Sequence, residues 1–167
     1  MIGTLTQRAT AADALQMTEL LSRVAAEGQW IATEIPFDVE GRARQLGHAL
    51  AAQTVVGFVV RDDQGIPAGS LIARVAANRA ALGMIVAAEH RRQGIGRALM
   101  DAVICWGKTA GIEALTLEVF PHNAGALAFY ERSGFTQTAR RVAAVQRNNG
   151  ERWDTLAMER RLDRERF

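Results

Sequence analysis

One cysteine, one tyrosine and one lysine are found among 167 residues. The lone Cys105 excludes an internal disulfide, and its place beside Trp106 in an apolar stretch reads as a small buried hydrophobe. The lone lysine, Lys108, leaves arginine to carry almost all the positive charge, and no function follows from that. Hydrophobic residues make up 49% of the chain, yet no apolar run approaches the roughly 20 residues of a membrane span. The N-terminus has no basic segment leading into an apolar one, so no secretory signal is evident and a cytoplasmic location is expected. A net charge of +2 is too small to argue for nucleic acid. The arginine-rich end, Arg160 to Arg166, is the one stretch that could suggest it, and a steep salt dependence would be its signature. Neither repeats nor a low-complexity linker divide the chain. Its length fits a single domain over residues 1–167 with a core of its own.

The charge is unevenly spread. Residues 1–40 hold Arg8 and Arg23 against six carboxylates, a net −4 that leaves +6 for the remainder. Such a division suits a cationic amine at one site and a polyanion at another, and equally suits ordinary solvated helix faces.

Periodicity outlines the elements. Leu5 to Ala9 reads as a short strand. Thr10 or Asp13 can cap a helix from about Ala11 to Ala26, with Ala14, Met17, Leu20, Leu21 and Val24 as its apolar stripe. Gly28 ends it, and the aromatic segment from Gln29 to Asp38 reads as a loop before a second helix to about Ala52. Strands follow at Thr54–Arg61, Pro67–Ala77 and, after an Asn78-Arg79 turn, up to Ala88. A helix to about Ala110, a strand at Ala114–Val119 and a helix from Ala124 to Arg132 come next. Segments from Phe135 to Val145 and from Arg152 to Leu162 read as a hairpin around Asn148-Asn149-Gly150.

The most informative stretch is His90-Arg91-Arg92-Gln93-Gly94-Ile95-Gly96-Arg97-Ala98-Leu99. A strand precedes it and a helix follows it. A strand that turns through glycines into a helix N-terminus presents unpaired N–H groups and a favourable dipole to an anion. Gly94 and Gly96 remove the Cβ atoms that would keep a phosphate at a distance. A dinucleotide fingerprint is excluded, because Leu99 stands where its third small residue belongs. A Walker A loop is excluded as well. Gly107-Lys108-Thr109 supplies its ending, but Ala102 replaces the first glycine and the tripeptide closes a helix that stops at Gly111.

What remains is R-x-x-G-x-G, on Arg91, Gly94 and Gly96. About thirty residues on comes Asn123-Ala-Gly-Ala126-Leu-Ala-Phe-Tyr130-Glu-Arg-Ser-Gly134-Phe135, of the form N-x-x-A-x-x-x-Y-x-x-x-G-F. Together they resemble the two signatures of the GNAT N-acetyltransferase superfamily, from about Val55 to Met158. The element order is also similar. The resemblance implies a mixed α/β fold: a mostly antiparallel sheet with a V-shaped splay between its central strands and helices on both faces. It implies acetyl-CoA as co-substrate and an N-acetyltransferase reaction, in which an amine attacks the thioester directly in a ternary complex. Ala88, where relatives commonly have proline, is a minor departure.

The same resemblance implies roles for particular residues. The N–H groups of Gln93, Gly94, Gly96 and Arg97 would hold the pyrophosphate, with charge from Arg91 and Arg92. The backbone of Met84, Ile85 and Val86 would pair with the pantetheine arm, while those side chains are ordinary core. Tyr130 falls at the general-acid position, where a phenol can protonate a departing thiolate, and aromatic packing at the cleft is its alternative. Asn123 and Ala126 would border the cofactor, though a helix cap explains Asn123 on its own. Leu117-Glu118-Val119 followed by Asn123 looks like the ribosomal-protein alanine N-acetyltransferases, which implies Glu118 as the base; a salt bridge is the competing reading. Glu34 and a water chain remain open as alternatives. Trp30, Glu34 and Phe37 would bound the acceptor site, with Trp153 a further candidate. The acceptor expected is a small-molecule amine. A protein N-terminus and a non-catalytic acyl-CoA-binding module are the rivals. A homodimer through the terminal hairpin is possible, and no metal, membrane or nucleic-acid partner is expected.

Overall fold

The computed structural model describes residues 5–163. Its strands are β1 (Thr6–Arg8), β2 (Val55–Arg61), β3 (Pro67–Ala76), β4 (Arg79–Val86), β5 (Ala114–Val119), β6 (Thr136–Gln146) and β7 (Arg152–Arg161). The helices are α1 (Ala14–Ala25), α2 (Val39–Ala51), α3 (Ile95–Thr109) and α4 (Ala124–Arg132). The strands form one sheet in the order β1-β2-β3-β4-β5-β7-β6. Every neighbouring pair is antiparallel except β4 and β5.

Alternation decides which face each side chain serves. Val56, Phe58 and Val60 of β2, with Leu71 and Ala73 of β3, point to the face covered by α3, where Ile95, Leu99 and Val103 complete the main core. Tyr130, Phe135, Leu156 and Met158 extend that core below α4. Val55, Val59 and Ile72 point the other way and pack with Ala14, Met17 and Leu50 of α1 and α2. Helices therefore cover both faces of a mixed sheet, as expected. Gly69 allows the close approach of α3, since a Cβ there would lie 2.6 Å from Cγ2 of Ile95.

Parallel pairing of β4 with β5 stops early. Arg79, Ala80 and Ala81 pair with Ala114, Leu115 and Thr116, and no pairing continues beyond them. Leu82 to Val86 and Leu117 to Val119 diverge, which is the expected splay. The outer edge of β5 stays bound to β7 through Val119, so the gap opens on one side only.

Three expectations change. The helix from Ala11 begins as a 3₁₀ turn, because Asp13 accepts from both the N–H and the hydroxyl of Thr10 and also pairs with Arg61. Leu5 falls outside β1 and is exposed. Cys105 is exposed rather than buried. The inward positions of α3 are Ile95, Leu99, Met100, Val103 and Gly107, and Cys105 lies on the opposite side of that stripe. Arg164 and Arg166, part of the arginine-rich end, lie outside the described residues.

Candidate active site

Among the described residues, no side chain caps the helix after the glycine loop. Gly94 occupies the N-cap of α3 in the left-handed region (φ +84°), and no side chain bonds to the first turn. Among the described residues, no backbone partner is found for the N–H groups of Gln93, Gly94, Ile95, Gly96 and Arg97. A Cβ at Gly94 would meet only open space. Five donors at the positive end of a fifteen-residue helix thus face outward.

These donors open into a cleft of about 1620 Å³. It runs along the unpaired part of β4 and is bounded by α4, β5, α1, α2 and the loop between α1 and α2. Met84 and Val86 pack on the α3 core, Ile85 packs against Leu20 and Val24 of α1, and past Ala81 the strand edge toward β5 has no strand partner among the described residues.

The loop arginines divide their tasks. Arg91 donates to both carboxylate oxygens of Glu27, at 2.8 and 2.5 Å, and through Nε to the Val86 carbonyl at 3.2 Å. Its charge is compensated at the end of α1, so it fixes the loop rather than waiting for a phosphate. Arg92, held at φ +63°, lines the cleft with no carboxylate partner among the described residues. Arg97 is exposed and pairs with Asp101 at 3.3 Å. The Gln93 side chain turns back to the Glu89 carbonyl at 3.1 Å, leaving its main chain as the useful group.

Asn123 caps α4, its Oδ1 accepting from the Ala126 N–H at 3.2 Å. That cap starts the helix that carries Tyr130 to the cleft wall. Tyr130 is only 8% exposed and packs edge-on against Phe129 and Phe135. Its hydroxyl has no hydrogen-bond partner among the described residues, and no polar side-chain atom there is both sealed and unpartnered. Burial pushes its pKa up to about 12.

Glu118 sits across the splay on β5, on the sheet face opposite Leu117 and Val119, and lines the same cleft. Thr155 donates to its Oε2 at 2.8 Å, and Arg141 pairs with Oε1 at 2.9 Å. The side chain remains 47% exposed, so it is oriented but reachable by solvent. Sequence reasoning anticipated a salt bridge as the competing reading of Glu118; the structure contains one, in an open setting.

Trp30 and Phe37 line the cleft, and Glu34 does not. Glu34 turns to the β6–β7 turn, accepting from the Asn148 N–H at 2.7 Å and pairing with Arg147 at 3.4 Å. Trp30 donates to Glu27 at 2.7 Å. Trp153 stacks behind the wall, its ring 4.2 Å from the Arg147 guanidinium and 5.1 Å from Phe120. Arg147 is 2% exposed and donates to the carbonyls of Gly28, Ile31 and Ala32. It thereby ties the loop between α1 and α2 to the terminal hairpin. His122, bonded to the Gln29 carbonyl at 2.6 Å, lies against Phe120 and Trp153 at the same junction. Sequence reading missed Arg147 and His122, because each acts through residues far away in the chain.

Comparison with known proteins decides the family. The model of the acetyltransferase (GNAT) family matches residues 18–135. The chain belongs to the GNAT acetyltransferase family. As a GNAT member it is an acetyltransferase with acetyl-CoA as its co-substrate, and the uncapped α3 donors and the open β4 edge suit that molecule's pyrophosphate and amide-bearing arm. Over 60 residues it is 40% identical to the ribosomal protein bS18-alanine N-acetyltransferase of Escherichia coli K12. The match covers 36% of this chain and spans 37% of that relative's length. The fold is similar to a ribosomal-protein-alanine N-acetyltransferase from Brucella melitensis (TM-score 0.83, 22% identity, 95% of this chain and 99% of that one). It is also similar to a GNAT phosphinothricin acetyltransferase from Sinorhizobium meliloti in complex with acetyl-CoA (TM-score 0.81, 21% identity, 95% and 88% covered).

Proposed function

We propose that this GNAT enzyme acetylates the primary amine of a small molecule by direct attack in a ternary complex, with Glu118 as base and Tyr130 as acid. The observation that carries the reading is that both side chains line one cleft, from opposite sides of the β4–β5 opening, with the uncapped α3 donors at its end.

Acetyl-CoA supplies an activated acetyl thioester. The N–H groups of Gln93, Gly94, Gly96 and Arg97 hold its pyrophosphate, with Arg92 adding charge, and the free edge of Met84 to Val86 aligns its amide-bearing arm. Glu118 accepts the proton that an alkyl ammonium (pKa near ~10) must lose before its nitrogen can attack. The N–C bond forms, the C–S bond breaks, and the nitrogen releases its second proton to solvent. Tyr130 donates its phenolic proton to the departing sulfur and recovers it from solvent. A phenol kept neutral by burial is always charged with that proton at working pH.

A second reading, acetylation of a protein N-terminus, is supported by the 40% identity over 60 residues to the bS18-alanine enzyme. A non-catalytic acyl-CoA-binding module would need neither Tyr130 nor Glu118 at the cleft. The reading includes the cytoplasmic setting expected above. It also includes a homodimer through β6, an edge strand with a largely exposed face. The test is release of free thiol from acetyl-CoA with panels of amines, amino acids and short peptides. Turnover with a small amine supports the proposal; turnover with peptides alone moves it to the second reading.

A further inference from the structure

Four arginines line the cleft with no carboxylate in ion-pair range among the described residues: Arg42, Arg74, Arg92 and Arg132. They form two groups. Arg92 and Arg132 belong to the α3 and α4 end, beside the phosphate donors. Arg42 of α2 and Arg74 of β3 belong to the other end.

The separation follows from the register. Arg74 pairs with Ala81 on β4, five residues from Val86, where the glycine loop begins. At about 3.4 Å per residue that is about 17 Å along the strand. A coenzyme anchored at the α3 N-terminus places its phosphates at one end, so the cationic pair at the other end calls for a different anion.

The second pair is a built feature. The Arg42 guanidinium lies 5.1 Å over the Phe37 ring and points its fork toward the Thr33 hydroxyl at 3.4 Å. Burial, and then the charge of Arg74, lower its pKa. Two like charges are thus held together without compensation. Two carboxylates on adjoining elements are engaged elsewhere. Asp38 caps α2 through the Gly41 N–H at 2.9 Å. Glu159 lies in the same cross-sheet row as Arg74, through Ala81 and Thr116, and is taken by Arg79 and Arg161.

The pair also faces the reacting groups. Arg74 and Glu118 project from the same side of the sheet, two strands apart and two residues along, where β4 and β5 have begun to diverge. Gly83 lies between them on β4, and a Cβ there would meet nothing within 4 Å. The floor between base and arginines is therefore open.

We infer that Arg42 and Arg74 bind the carboxylate of the acceptor, which makes the acceptor class amino acids rather than neutral amines, polyamines or protein N-termini. A guanidinium fork matches a carboxylate in two parallel hydrogen bonds, and the unpaired charges supply the attraction. The inference rests on the acetyltransferase reading above.

Calorimetry with acetyl-CoA first tests that reading alone, and failure to bind would remove it. Initial rates are then measured with the common L-amino acids and their α-amides, on wild type, Arg74→Gln and Arg74→Lys. The expected result is at least one amino acid accepted with kcat/KM at least about tenfold above its amide. In Arg74→Gln that preference collapses through KM while the affinity for acetyl-CoA is kept, and Arg74→Lys restores part of it. Gly83→Leu, whose Cβ would meet nothing within 4 Å, fills the floor, blocks the amino acid and still binds acetyl-CoA. Failure of every amino acid as acceptor overturns the inference. So does equal use of acid and amide, or an Arg74→Gln defect that is the same for both.

Discussion

Burial keeps the Tyr130 phenol protonated, up to about 12, and this separates its two possible roles. As acid it sets the rate of C–S cleavage, so Tyr130→Phe lowers kcat by about 10²-fold or more and leaves KM for acetyl-CoA near its original value. A ring that merely packs would tolerate phenylalanine. The raised pKa also has a sign. Its contribution to stability is complete below the unfolded value near ~10 and is lost as pH rises toward about 12. Tyr130→Phe therefore flattens the alkaline unfolding limb, measurable by thermal melts against pH. Glu118→Gln behaves differently. Its deficit in kcat/KM is greatest near neutrality and narrows as pH approaches the pKa of the amine, near ~10, because the acceptor then arrives already deprotonated. A deficit constant with pH would remove Glu118 from proton transfer. Tyr130 was legible in the sequence because its motif fixes its spacing from Asn123 and Gly134. Arg42 and Arg74 were not, since α2 and β3 bring them together only after folding.

At the scale of elements, α3 and its loop are set by how closely the helix lies on β3. Gly69→Ala would drive a methyl into Cγ2 of Ile95, the first residue of α3, at 2.6 Å. Overpacking of this kind costs about 1–3 kcal/mol. Because Ile95 adjoins Gly94 and Gly96, the same change weakens acetyl-CoA binding, read by calorimetry beside a denaturation curve. The junction of the α1–α2 loop and the terminal hairpin depends on Arg147. Arg147→Ala leaves three carbonyls without that donor and leaves Glu34 with the Asn148 N–H alone. A loss of about 3 kcal/mol is expected, together with a raised KM for the acceptor. Helix α4 and strand β5 fall within the limits read from the sequence, because Asn123 and Gly134 mark local starts and stops. Helix α1 starts three residues later than the sequence indicated, after a 3₁₀ turn in which Asp13 answers to Arg61, far along the chain. Cys105 was misplaced by its neighbour Trp106. The spacing of Leu99, Val103 and Gly107 already put it on the outer side of α3.

At the scale of the whole molecule, long-range ion pairs join the layers. Hydrogen bonds from Arg91 and then Trp30 hold the Glu27 carboxyl below its usual range despite burial. The Ala143 N–H and then Arg140 do the same for Asp154, at the bulge of β6. Carboxylates of this kind contribute stability above the ordinary range near ~4 and lose it as pH falls through their lowered folded values. Glu27→Gln should thus flatten the acid limb and free the loop that Arg91 braces. Bound acetyl-CoA should act in the opposite sense, adding about 2.7 kcal/mol at a hundredfold excess over Kd. The architecture was legible because element order, glycines and apolar alternation are local signals. The cationic end of the cleft was not, for it arises from three segments that meet only in the fold. On the reading proposed above, the cleft between β4 and β5 moves an acetyl group to an amine using Tyr130. The direct measurement is thiol release from acetyl-CoA by wild type and Tyr130→Phe, each with the amino-acid panel. Amine-dependent release that falls about 10²-fold in the variant is the predicted result. Equal release by the two proteins, or release that ignores the amine, would contradict it.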